Sequence, residues 1–324
     1  MEEMEISVVV PVFNSAPTLR TLIERLFRVL EGLERRFELV LVDDGSRDDS
    51  WDVLSRLQAE FPDRIVAIQL MRNFGQHNAL MCGFRHSRGR YIITIDDDLQ
   101  HPPEEIPKLL NGLRAGGFDL VYGCPDRRQH KAWRNLGSWL VNVAYRTMFR
   151  TRLSISAFRC LRRELLVTIF PYSLNYTFVD GLLAWNTRRI GEVTVEHHLR
   201  LGGRTGYSLS KLCVLALNLF TNFSLLPLQI VSLVGFAAAV SGLVAGAYYL
   251  VQYLRHSISV PGYASIIISV LVLGGIQLLS LGIMGEYLGR LHLNVNRRPQ
   301  YTVRDVRGSA CLTDSDSTTP GSND

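Results

Sequence analysis

Residues 92–104 read Ile-Ile-Thr-Ile-Asp-Asp-Asp-Leu-Gln-His-Pro-Pro-Glu. A short β-branched run stops abruptly in three adjacent carboxylates, Asp96 to Asp98, and then come Gln100 and a Pro-Pro turn. Like charges at a strand end repel, and a divalent cation among them relieves the repulsion. Oxygen ligands suit Mg2+ or Mn2+, ions that keep some waters and bridge substrate phosphates. The stretch points to metal-assisted chemistry on a phosphorylated ligand. The plainer alternative is a solvated acidic turn.

Upstream, apolar runs alternate with amphipathic stretches. Ser7–Val12, Glu38–Val42, Ile65–Leu70 and Tyr91–Ile95 have strand character, while Thr18–Leu33, Ser50–Phe61 and Gln76–Ser87 have helical spacing. Strands alternating with helices imply an α/β fold, with a mainly parallel sheet covered on both faces. Ligands on such sheets bind beyond the carboxyl ends of the strands. Four strand ends bring polar residues to that rim: Asn14, then Asp43 and Asp44, then Arg72 and Asn73, then Asp96 to Asp98.

The 324 residues suffice for a catalytic domain plus a smaller part, and the net charge of +5 suits anionic lipid or phosphate partners. Nucleic acid is not expected as a partner, since no zinc spacing, basic helix or aromatic sheet motif is present. The five cysteines are scattered without a CxxC pair, so reduced cytoplasmic thiols are expected. The start, Met-Glu-Glu-Met-Glu, has no apolar core of a cleaved signal peptide.

Leu212 to Leu254 and Ser257 to Gly285 contain no charged residue. Each exceeds the roughly 20 apolar residues that cross a bilayer. Two membrane spans are expected near Leu228–Leu250 and Ala264–Gly285, after a juxtamembrane amphipathic helix over 206–227. Arg200, Arg204 and Lys211 flank one side and Arg290, Arg297 and Arg298 the other, which puts the catalytic domain (1–205) and the C-terminal segment (291–308) in the cytoplasm. Residues 309–324, rich in Ser, Thr, Asp and Gly, read as a disordered tail.

Several motifs add chemistry. Val42-Asp43-Asp44-Gly45-Ser46 offers acceptors for a ribose hydroxyl or base N–H, or simply a capped turn. Arg72-Asn73-Phe74-Gly75-Gln76-His77-Asn78 is polar where a strand hands over to a helix, and His77 reads as structural. Arg127, Arg128, His130, Lys131 and Arg134 precede a Trp- and Leu-rich stripe, an arrangement suited to a lipid phosphate. The loop Arg200-Leu-Gly-Gly203-Arg204-Thr-Gly-Tyr207 can close over a diphosphate. No P-loop appears and no GxGxxG follows the first strand, which removes the main support for kinase and dinucleotide-enzyme readings. The Tyr122–Pro125 stretch reads as a turn.

Together, Val8-Val-Val-Pro11-Val-Phe-Asn14, the Asp43/Asp44 motif, the Arg72–His77 stretch, Asp96–Glu104 and the Arg200/Gly203 loop resemble the family-2 glycosyltransferases of GT-A fold. Among these the chain is most similar to the membrane-anchored polyprenyl-phosphate sugar transferases. The resemblance spans about residues 5 to 300. It implies a mixed, mainly parallel sheet, with Pro11, Asp43 and Asp44 bordering the nucleoside and Arg72, Asn73 and Asp96 lining the same site. Asp96 and Asp98, with Gln100 nearby, would hold Mg2+ or Mn2+ on the donor diphosphate. Arg127, Arg128, Arg134, Ser138 and Arg204 would meet the acceptor phosphate, and Arg200 would close over the diphosphate. Implied partners are a nucleotide sugar, undecaprenyl phosphate and the bacterial inner membrane, with a homo-oligomer left open.

The chain also departs from that pattern. Relatives carry an Asp six residues before the arginine of a Phe-Arg pair, where this chain has Leu153 before Arg159. Asp180 is the candidate to replace the missing carboxylate, as a catalytic group beside Asp98 and Arg200. A sugar hydroxyl acceptor needs a general base, whereas a phosphate monoester, with a second pKa of about 6, arrives largely anionic. The missing carboxylate therefore favours a lipid-phosphate acceptor over a glycan or lipid hydroxyl. A non-catalytic membrane sensor of sugar nucleotides is a further alternative. Processive polymer synthesis is disfavoured by the absence of a QxxRW motif.

Overall fold

The computed structural model describes residues 4–125, 155–172, 177–197, 226–255, 263–295 and 299–308. They fall into two compact units, Leu209–Arg298 and the rest of the chain.

The first unit is built on a mixed eight-stranded sheet. β1 (Ile6–Val12), β2 (Phe37–Asp43), β3 (Ile65–Leu70) and β4 (Tyr91–Thr94) alternate with α1 (Ala16–Glu31), α2 (Ser50–Glu60) and α3 (Gln76–His86). Then follow α4 (Ile106–Ala115), β5 (Leu120–Pro125), β6 (Arg159–Arg162), α5 (Arg163–Ile169), α6 (Val179–Asn186), β7 (Ile190–Val195) and, after the second unit, β8 (Val303–Arg307). The strand order is β7-β5-β6-β4-β1-β2-β3-β8. The central β4, β1, β2 and β3 run parallel, whereas β6 and β8 are antiparallel to their neighbours.

The strands are buried on both faces, so they read as continuous apolar runs rather than as alternation. Ile6, Val8, Val10 and Val12 join one core cluster with Leu19, Leu22 and Leu26 of α1, Leu54 and Leu57 of α2, and Leu109 and Leu113 of α4. Val9 and Val42 point the other way, because successive side chains alternate across a sheet. There α3 lies so close that a Cβ on Gly83 would stand 2.4 Å from Val9 Cγ1.

Four strands depart from the sequence expectation. Tyr122–Pro125, read as a turn, is the latter part of β5. β6 and β7 have no counterpart among the expected strands. The expected C-terminal segment 291–308 divides: residues 291–295 finish a helix, and residues 303–307 form the edge strand β8, paired antiparallel with β3.

In the second unit, α7 spans Leu226–Leu254 and α8 spans Tyr263–Val295. Among the described residues one stretch, Val272–Gly289 of α8, is long and apolar enough to cross a membrane, and α7 carries a shorter apolar run, Val231–Gly242. Leu233, Phe236, Ile266, Leu278 and Leu279 are all more than 60% exposed. Exposed apolar surface on this scale marks a protein or membrane contact.

Candidate active site

β1 leads to β2 and β3 on one side, while β4 lies on the other side of β1. The strand order reverses between β1 and β4, and open α/β sheets bind ligands in the crevice at such a switch point. The loops after these two strands meet there. The Phe13 N–H donates to Asp97 Oδ2 (3.1 Å), and the Thr18 hydroxyl donates to the Asp97 carbonyl (2.9 Å). Burial pushes the Asp97 carboxyl above the usual range, against the hydrogen bonds from Ser15 and the Phe13 N–H that favour its charged form. Asp97 thus ties the β4 loop to the β1 loop.

Asp96 and Asp98 flank it, both partly exposed. Gln76, the first residue of α3, donates its side-chain amide to Asp96 Oδ1 (2.6 Å). Asp98 Oδ1 accepts the Gln100 N–H (3.1 Å), closing a tight turn across Leu99. Leu99 has φ 60° and Asn14 has φ 54°, left-handed values that cost a non-glycine residue about 1 kcal/mol or more. These two sit at the crevice, as strained residues of functional sites do, whereas a third, Glu34 (φ 53°), lies in the turn between α1 and β2.

The donor set fits a divalent cation. Among the described residues no three His, Cys, Asp or Glu side chains converge into a closed cage. Two partly exposed carboxylates with Gln100 beside them suit an ion that takes its remaining ligands from water and phosphate.

The Asp43-Asp44 pair makes its hydrogen bonds within the rim itself. Asp43 is fully buried at the end of β2, where its Oδ1 accepts the Ser46 N–H (3.1 Å) and Oδ2 accepts from the Gln69 amide (3.4 Å). Asp44 accepts the N–H groups of Phe74 (2.7 Å) and Gly75 (2.9 Å), and burial pushes its carboxyl up to about 6. Neither side chain reaches out from the rim; both build it. Gly45 (φ 67°) lets the two loops cross, since a Cβ there would stand 2.5 Å from the Arg72 carbonyl carbon. Arg72 and Asn73 are exposed on the resulting loop, with the Arg72 guanidinium 4.3 Å from the Phe74 ring centre. Pro11 is buried within β1, in register with Val42.

Asp180, the candidate base, is recast. It is buried in α6, where its Oδ1 accepts from the Tyr122 hydroxyl (2.8 Å) and pairs with the Arg159 guanidinium. Arg159 Nε donates to Thr94 Oγ1 (2.9 Å). Burial alone would weaken Arg159's hold on its proton; Asp180, Tyr122 and Asp96 outweigh it and raise the pKa. A carboxylate committed to an interior guanidinium is a counter-ion, and a poor base. His77 lies next to this cluster, its ring edge-on to Phe178 at 5.3 Å, and burial holds it down to about 4. It is neutral at physiological pH, in keeping with the structural reading.

Gln76, Thr94, Tyr122 and Arg159 did not emerge as site residues from the sequence, although Gln76 lies inside the Arg72–Asn78 stretch. Arg127, Arg128, Arg134, Ser138, Leu153, Arg200 and Arg204 lie outside the described residues, as does most of the expected amphipathic helix over 206–227.

The model of the family described as "Glycosyl transferase family 2" matches residues 7–170. The chain belongs to glycosyl transferase family 2. As a family-2 glycosyltransferase it is similar over nearly its full length to curated relatives. An undecaprenyl-phosphate 4-deoxy-4-formamido-L-arabinose transferase of Pseudomonas syringae is 37% identical over 318 residues, 96% of this chain and 94% of the relative. One of the same name from Shewanella sediminis is 34% identical, covering 93% and 92%. The fold also matches a solved structure, glucosyl-3-phosphoglycerate synthase from Mycobacterium tuberculosis in complex with Mn2+, uridine diphosphate and phosphoglyceric acid. The TM-score is 0.52 at 20% identity, covering 67% of this chain and 76% of that one. At that identity the likeness carries the GT-A fold of this family-2 enzyme and nothing finer.

Proposed function

We propose that this glycosyltransferase moves one sugar from a nucleotide-sugar donor to undecaprenyl phosphate at the cytoplasmic face of a bacterial inner membrane. The observation that carries the choice of acceptor is the engagement of Asp180 by Arg159 and Tyr122. A hydroxyl acceptor needs a base. The carboxylate expected to supply one is occupied, and Leu153 stands where relatives have the other. A phosphate monoester needs positioning more than deprotonation. The names of the 34–37% identical relatives support the same acceptor.

In this reading Asp96 and Asp98, with Gln100, hold Mg2+ or Mn2+. Bound there, the ion supplies Lewis-acid stabilisation of charge on the departing diphosphate. Gln76 orients Asp96, and Asp97 locks the β4 loop to β1. Asp43 and Asp44 shape the nucleoside side from beneath, presenting Arg72 and Asn73. Arg200 closes over the diphosphate, and Arg127, Arg128, Arg134, Ser138 and Arg204 orient the acceptor phosphate for in-line attack with inversion. Electrostatic preorganisation of this kind usually supplies the largest share of catalysis.

Both α7 and α8 cross the membrane in this reading. The chain leaves the catalytic sheet before α7 and re-enters it as β8, so the number of crossings is even. A single crossing by α8 would put β8 on the opposite side from β3.

The test incubates the full-length protein in lipid nanodiscs with undecaprenyl phosphate, Mn2+ and a panel of nucleotide sugars, and identifies glycolipids by mass. One sugar-phosphate-lipid is expected. Equal transfer to a lipid or glycan hydroxyl without polyprenyl phosphate would overturn the acceptor assignment, and donor binding without turnover would favour a sensor.

A further inference from the structure

We propose that residues 299–305, the segment after the two apolar helices, complete the donor site by bracketing the stretch Met71–His77. The inference rests on the donor reading given above. Its first support is at Met71, whose N–H donates to the Thr302 carbonyl (2.9 Å) and whose carbonyl accepts from the Arg304 guanidinium (3.3 Å). Both backbone groups of the residue before Arg72 are therefore held by this segment. The β3–β8 ladder reaches the same place, with Leu70 opposite Val303 and a shift of register between Gln69 and Leu70.

The second support lies at the other end of the stretch. Gln300 is only 8% exposed and donates its amide to the Thr177 hydroxyl, itself buried. Thr177 precedes Phe178, whose ring packs edge-on against His77. Between the two ties lie Arg72 and Asn73, the amides of Phe74 and Gly75 that Asp44 accepts, and Gln76, which braces Asp96.

An edge strand needs only its ladder, and a buried glutamine amide directed at a distant hydroxyl adds nothing to strand pairing. What it adds is a fixed end. A loop held at both ends binds its ligand without paying to order itself first. Gln300 is accordingly a positioning residue, acting through Thr177, Phe178 and His77 on the loop that faces the donor.

The test uses the full-length protein in nanodiscs, with UDP and Mn2+ as the binding probe and steady-state transfer as the second readout. Gln300→Ala should weaken UDP binding and raise the donor KM by about tenfold, with kcat changed less than about twofold and the KM for polyprenyl phosphate unaltered. Thr177→Val should do the same and add little in the double variant, whereas Thr177→Ser, which keeps the hydroxyl, should restore wild-type affinity. Unchanged UDP affinity and donor KM in Gln300→Ala would overturn the proposal. So would a loss of kcat and thermal stability with UDP affinity intact. A wild-type protein that neither binds UDP nor transfers sugar would refute the donor reading instead. Amide exchange then judges the bracket alone: faster exchange at Met71 in Gln300→Ala upholds it, and unchanged exchange refutes it.

Discussion

The two edges of the central sheet use acidic residues in opposite ways. At the amino edge Glu38 is fully buried. Its carboxylate accepts from the Ser7 hydroxyl (2.6 Å), the Arg88 N–H (2.6 Å) and the Arg88 guanidinium (2.8 Å). The Gly89 N–H then donates to Ser7 Oγ (2.7 Å). At the carboxyl edge Asp43 and Asp44 stand at the end of β2 and Asp96 to Asp98 after β4, on either side of β1. There Asp44 and Asp97 are held by backbone N–H groups, and burial raises the pKa of both. The backbone is left-handed at Asn14 and Leu99 on that edge and at Glu34 on the amino edge, so the acids and not the strain set the two apart. An acid matched to a guanidinium closes an edge; acids crowded together keep one ready for a cation.

The contrast breaks most sharply by altering one acid on each side. Asp98→Asn should lower sugar transfer about a thousandfold, roughly 4 kcal/mol of barrier, with the melting temperature nearly unchanged. Mass-spectrometric quantification of glycolipid and a thermal melt check both halves. Glu38→Ala should do the reverse. It strands buried donors and an arginine, costing about 3 kcal/mol of stability, while activity per folded molecule holds; denaturant unfolding with active-site titration reads this.

Asp44 sharpens the comparison through pH. Its folded pKa, about 6, lies above the unfolded value near 4, so the folded state holds the proton more tightly. Its contribution to stability is fullest below pH 4 and is lost as pH rises through 6, the reverse of a salt-bridged carboxylate. Relative to Asp44→Asn, the wild type should lose about 2 kcal/mol between pH 4 and pH 7, measured as paired unfolding curves. The smallest effect is at Asn14, whose Oδ1 also accepts the Arg47 N–H (2.8 Å). Asn14→Ala should cost about 1 kcal/mol and Asn14→Gly less, because glycine accepts the left-handed backbone.

The carboxyl edge was legible in the sequence because β1 to β4 are largely apolar runs rich in β-branched residues and α1 to α3 carry regular apolar spacing. Those patterns place Asn14, Arg72 and Asp96 to Asp98 at strand ends without any knowledge of contacts. The flanking strands resist such reading. β6 is Arg159-Cys-Leu-Arg162, four residues with a charge at each end, and Gly123 and Pro125 disguise β5 as a turn. β8, Val-Arg-Asp-Val-Arg, carries three charges in five residues, as edge strands do, and its partner lies more than 230 residues earlier in the chain. Roles that depend on a distant partner were likewise hidden. Asp180 reads as a spare base until Arg159 stands beside it, and the loop amides that Asp43 and Asp44 accept from are invisible in the sequence.

β8 has a consequence for how the enzyme is made. A ribosome delivers β1 to β7 first, then the apolar helices, and only then the strand that covers the open side of β3. Early chains fold in order of emergence. Until translation reaches residues 302–307, the Met71 amide lacks its acceptor and β3 keeps a bare edge. The polypeptide therefore finishes its catalytic half last, after the two apolar helices have been synthesised.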